Sequence, residues 1–103
     1  MKSLCPIDKN TPPLSREEAN KLLANLTEGW KINDSGHIHK IYEFKDFMGP
    51  LNFINKVAII AEREGHHPDI LLSWGKCTIE IWSHVINGLS KNDFALASKI
   101  DQL

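Results

Sequence analysis

Two pairs of short strand-like runs, each joined by a tight turn, constrain this chain more than any other feature. Trp30–Asn33 and His39–Phe44 flank the turn cluster Asn33-Asp34-Ser35-Gly36, and Ile70–Trp74 and Lys76–His84 flank Gly75. Connections this short join antiparallel neighbours, because parallel strands need a long crossover. Within the last run, successive side chains alternate: Cys77, Ile79, Ile81 and Ser83 face one way, and Thr78, Glu80, Trp82 and His84 the other.

Three helices separate and frame these pairs. Ser15 with Glu18 three residues on reads as a capping box, Leu22, Leu23 and Leu26 supply the apolar stripe, and Gly29 lies beyond the expected end. A second helix is expected to open around Pro50, since proline is tolerated in a first turn. Leu51, Ile54, Ala58 and Ala61 follow at helical spacing, widened by Phe53, Val57 and Ile60, and Gly65 and Pro68 end the run. A third helix opens at Ser90 with Asp93 as its capping partner, Leu89 able to staple onto Phe94, and an apolar edge of Leu96, Ile100 and Leu103. The expected fold is therefore α+β: a four-stranded antiparallel sheet with three helices on one face, in the order helix-β-β-helix-β-β-helix.

A length of 103 residues suits one compact domain, expected over 14–103 behind an irregular, proline-marked arm at 1–13. A formal net charge of −1, with interleaved signs, offers no electrostatic reason to bind nucleic acid or an anionic membrane. No segment reaches the ~20 apolar residues of a membrane span, and the start has no apolar core of signal-peptide length. A cytoplasmic setting is expected, with Cys5 and Cys77 as free thiols, although a disulfide between them is open on sequence alone.

The stretch Glu62-Arg63-Glu64-Gly65-His66-His67-Pro68, with His84 and Asp93 downstream, can carry chemistry. Glu62 stands one helical turn before His66, so its carboxylate reaches that imidazole if the helical path persists. His66 and His67 at a helix-to-strand corner could line one cleft from different sides, and histidine is the side chain suited to proton exchange near neutral pH. The same residues also read as an exposed turn, with Asp93 only a cap. A zinc site is a further alternative, because His66, His67, His84 and Glu62 or Glu64 are adequate donors. Against it, adjacent histidines rarely chelate one ion. His37-Ile38-His39, two rings on one side of a strand, is a weaker metal candidate.

Glu62-x-x-x-His66-His67-Pro68, then Trp74, His84 seventeen residues after His67, and Asp93 nine residues later resembles the signature of the pterin-4a-carbinolamine dehydratases. Glu28-Gly29-Trp30, Ile81-Trp82-Ser83-His84, Gly88-Leu89, Asn92-Asp93-Phe94, Ala97 and Lys99-Ile100-Asp101 extend the likeness over roughly 15–103. The resemblance implies an α+β fold and a lyase that converts 4a-hydroxytetrahydropterin to quinonoid dihydropterin plus water. It also implies recycling of a tetrahydrobiopterin-type cofactor beside an aromatic amino acid hydroxylase. The pterin is the substrate, and neither metal nor organic cofactor is implied. Carried over by position, His66, His67 and His84 are the catalytic histidines, with Glu62 fixing an imidazole tautomer and Asp93 supporting the site. Trp30, Trp82 and Ser83 are expected to help bind the pterin, though core packing competes for the tryptophans. Ser83 stands where threonine is more usual, and Ile70 where animal members often have an aromatic, so this chain looks closer to the microbial and plant branch. Family members form dimers or tetramers. Some animal members act as dimerisation cofactors of a transcription regulator, which is the alternative reading here.

Overall fold

The computed structural model describes residues 6–103; residues 1–5, the beginning of the expected arm, and Cys5 with them, lie outside the described residues. Helix α1 (Arg16–Leu23) opens on the anticipated box. The Ser15 hydroxyl accepts from the Glu18 N–H at 3.1 Å, and the Ser15 N–H donates to Glu18 Oε1 at 3.0 Å. The helix stops well short of Gly29. Residues 24–26 turn instead, and the Thr27 hydroxyl donates to Asp101.

Strands β1 (Lys31–Ile32) and β2 (Ile38–Glu43) form the first hairpin, and β3 (Asp69–Ser73) and β4 (Lys76–Ile81) the second. The sheet order is β1-β2-β4-β3, every pairing antiparallel, so the two hairpins meet through β2 and β4. The register pairs Ile38 with Ile81 and Tyr42 with Cys77. Cys77, Ile79 and Ile81 all face inward and are fully buried, as the alternation requires.

Helix α2 (Met48–Glu64) begins two residues before Pro50, which still lies within the first turn where no N–H is needed. Asp46 Oδ1 accepts the Gly49 N–H at 2.7 Å and fixes that start. Its end is sharp: Gly65 adopts φ 66°, and the His66 N–H returns to the Ala61 carbonyl at 3.1 Å. A left-handed residue with such a bond closes a helix and redirects the chain. Helix α3 (Lys91–Asp101) is capped by Ser90 and Asp93 as anticipated, and Phe94, Leu96, Ala97 and Ile100 are buried in one cluster with Ile38, Val57, Ile79 and Ile81. The architecture is thus the α+β arrangement read from the sequence.

Two further features of the core make checkable claims. Cys77 is a free, fully buried thiol, and burial pushes its pKa up to about 11. In a chain carrying Cys5→Ser, a thiol reagent at pH 8 should label Cys77 only on unfolding; rapid labelling of native protein would contradict this packing.

The second is a polar knot at the end of α3. Asp101 Oδ2 accepts from Thr27 Oγ1 (2.6 Å) and Trp30 Nε1 (2.8 Å), and Oδ1 accepts from Tyr42 OH (2.5 Å) and Lys40 Nζ (3.1 Å). Burial raises the pKa of this carboxyl, but the hydrogen bonds from Thr27, Tyr42, Trp30 and Lys40 together prevail and hold it below its ordinary 3.8. A carboxylate depressed in this way stabilises the fold above its unfolded pKa, and the contribution is lost as pH falls through the folded value. Asp101→Ala should therefore cost about 3 kcal/mol at pH 7. The gap to the parent should narrow below pH 3.8 in thermal melts.

Candidate active site

The turn at Gly65 sets the site. Because the helical path ends there, Glu62 does not meet His66, as uninterrupted helical spacing had suggested. Its Oε1 lies 2.8 Å from His67 Nε2 instead, and both side chains are largely exposed. His66 turns inward, its side chain only 13% exposed, and Nε2 lies 2.5 Å from Asp93 Oδ1.

Asp93 is completely buried and crowded with donors. Its Oδ2 accepts the Ser90 N–H at 2.7 Å, closing the capping box, and the Ser83 hydroxyl donates to Oδ1 (3.1 Å) and Oδ2 (3.0 Å). With its O–H donated to Asp93, the Ser83 oxygen accepts from the Ser90 hydroxyl at 2.7 Å. A carboxylate so placed accepts a hydrogen bond from the Nε2–H of His66 and leaves Nδ1 as the exchangeable nitrogen. Asp93 is therefore both a cap and the residue that orients His66.

His84 is not at a strand end. Strand β4 stops at Ile81, and a 3-10 turn covers His84–Ile86. The loop is clasped at its neck by the Ser83 N–H to the Gly88 carbonyl at 2.8 Å. His84 is exposed, and its ring is stacked on Trp82 with centroids 4.2 Å apart and planes 9° from parallel.

Gly65, His66, His67, Ser83, His84 and Val85, with Ile7 of the arm, line a cavity of about 320 Å³. That volume lies at the lower end of the range for small-ligand sites. Three of the anticipated histidines thus share one cavity, Ser83 lies in its wall, and Asp93 and Glu62 each hold one ring. Ile7 reaches the cavity from an arm whose sequence carries no periodic signal for such a contact.

The two tryptophans are elsewhere. Trp30 is 5% exposed and donates to Asp101, edge-on to Tyr42 at 6.4 Å. It is a packing residue, does not line the cavity, and so departs from the expected pterin contact. Trp82 has His84 on one face and His37 on the other, at 4.0 Å and 3° from parallel, which leaves no ring face for a ligand to stack on. His37 in turn places Nδ1 2.6 Å from Glu80 Oε2. The Glu80 carboxyl is held below the usual carboxylate range, chiefly by this hydrogen bond, against the opposing effect of burial. Among the described residues, no group of three or more His, Cys, Asp or Glu side chains is placed to hold a metal ion.

Comparison with known proteins decides the family. The family model described as pterin 4 alpha carbinolamine dehydratase matches residues 12–103. The chain belongs to this family. A provisionally named pterin-4-alpha-carbinolamine dehydratase of Rickettsia bellii (strain OSU 85-389) is 51% identical over 102 residues, covering 99% of this chain and 90% of the relative. Another, from Alkaliphilus metalliredigens, is 43% identical over 101 residues, covering 98% and 91%. Among solved structures, a transcriptional coactivator/pterin dehydratase from Brucella melitensis matches with a TM-score of 0.82 at 28% identity, over 88% of this chain and 97% of that one. Pterin carbinolamine dehydratases are carbon–oxygen lyases, and that is the enzyme class of the chain. No described helix is long and apolar enough to cross a membrane.

Proposed function

We propose that the cavity binds 4a-hydroxytetrahydropterin and that its histidines catalyse loss of water to give quinonoid dihydropterin. The observation that carries this reading is His66, oriented by the buried Asp93, facing the same cavity as His67 and His84. The C4a–O bond breaks only if the leaving hydroxyl gains a proton, and N5 must release one as the C4a=N5 bond forms. One imidazolium and one neutral imidazole meet both needs, and each positioned transfer is typically worth ~10²–10⁴ in rate. In this account His66 and His84 move protons at the leaving oxygen and N5. His67, steadied by Glu62, binds and orients the ring and shares the base role. Ser83 supports Asp93 at the cavity wall, and the reaction needs no cofactor beyond the pterin itself.

The same reading makes the chain a single-domain cytoplasmic homo-oligomer that recycles pterin for an aromatic amino acid hydroxylase. Strand β3 lies at an edge of the sheet, a side that natural sheets cover or blunt. The name of the Brucella melitensis protein pairs dehydratase with coactivator, so a protein-binding role as dimerisation cofactor of a transcription regulator is the second reading.

A coupled assay tests the recycling role. With hydroxylase and reductase in excess, spontaneous dehydration limits reductase turnover, and adding this chain should raise the steady rate in proportion to its concentration. An unchanged rate, with the folded chain capturing a defined transcription regulator, would favour the second reading.

A further inference from the structure

The three cavity histidines are held in two different ways. Asp93 holds His66 and Glu62 holds His67 through hydrogen bonds, whereas His84 has no side-chain hydrogen bond among the described residues and rests on the face of Trp82. That support is itself built. Glu80, Trp82 and His84 continue one side of the two-residue alternation past the end of β4. The register that pairs Ile38 with Ile81 brings His37, one residue before β2, beside Trp82, one residue after β4. His37 covers the second indole face, and Glu80 anchors His37 through Nδ1. The result is a column of Glu80, His37, Trp82 and His84 in which the last member reaches the cavity.

We infer that Trp82, steadied by His37 and Glu80, is the positioning residue for His84; the inference rests on the dehydratase reading above. An exposed imidazole on a short turn would otherwise sample several rotamers, and proton transfer is sensitive to small misplacements of the acting group. Lying flat on the indole, the ring presents its edge, where both nitrogens are, and buries a face that carries no proton. The indole face also suits the imidazolium form, because the ring quadrupole attracts a cation. Trp82 touches no reacting atom, so it acts on the rate only through His84.

The test compares the full chain with Trp82→Ala, Trp82→Phe and His37→Ala. Dehydration kinetics and the NMR shift of the His84 Hε1 proton are read together. Trp82→Ala should lower kcat about tenfold or more and leave KM within about twofold, because orientation is lost and binding is not. Trp82→Phe should recover most of that loss, since it restores an aromatic face, and His37→Ala should fall between the parent and Trp82→Ala. In the parent, His84 Hε1 should be shielded by the indole ring current and should move downfield in Trp82→Ala. An inactive parent would overturn the dehydratase reading. An active parent whose kcat survives Trp82→Ala, or whose His84 proton is unshielded from the outset, would overturn the positioning inference alone.

Discussion

Asp93→Asn should lower kcat by ~10²–10⁴ while leaving a folded protein, because it removes the one group that fixes the His66 proton on Nε2. The carboxylate of Asp93 accepts from the Ser90 N–H, from the Ser83 hydroxyl and from His66. An asparagine has one oxygen and one amino group in the same space. If the oxygen keeps the helix cap, the amino group faces His66 Nε2, which must then accept, and the ring proton moves to Nδ1. The imidazole stays in place in the wrong tautomer. A buried donor set with one mismatched partner should cost about 1–3 kcal/mol, visible as a lower melting temperature without loss of cooperativity. Stopped-flow turnover beside a thermal melt separates the two effects. Full activity in a folded Asp93→Asn protein would mean that His66 does not depend on this carboxylate.

His84→Ala should lower kcat by ~10²–10⁴, the value of one positioned proton transfer. It should change stability by no more than about 0.5 kcal/mol, because the residue is exposed and belongs to a short surface turn. Pairing a large kinetic loss with an unchanged melt is the signature of a group that acts on the substrate. If Trp82 supports His84 as inferred, adding Trp82→Ala to His84→Ala should cause little further loss of kcat, since the two act as one unit. Wild-type turnover in His84→Ala would remove this residue from the reaction.

Much of the fold was legible because it rests on local chemistry. Ser15 with Glu18 and Ser90 with Asp93 are capping boxes whose geometry is set within four residues, and both form as read. Gly65 ends α2 in the left-handed conformation that glycine adopts freely, and the alternation from Cys77 to Ser83 holds to the last residue. The site was legible only in part. Helical spacing matches Glu62 to His66, yet the left-handed Gly65 between them diverts the chain, and the carboxylate meets His67. Alternation puts His84 at a strand end, but β4 gives way to a 3-10 turn held by the Ser83–Gly88 bridge, a pairing no periodicity reports.

What could not be read depends on register between distant strands. His37 is 45 residues from Trp82 in sequence and meets it only because Ile38 pairs with Ile81. Trp30 joins Asp101 from 71 residues away, which turned an expected pterin contact into part of a structural knot. Local signals place elements; such long-range pairings decide which side chains share a cavity.

In the proposed function, this cavity removes water from the hydroxylated pterin through its histidines. The decisive measurement is stopped-flow absorbance of freshly generated 4a-hydroxytetrahydropterin, with the parent chain and with a His66→Ala/His84→Ala variant. Dehydration should quicken in proportion to the parent concentration and return to the spontaneous rate in the variant. A folded parent that leaves the spontaneous rate unchanged, or a variant as fast as the parent, would contradict it.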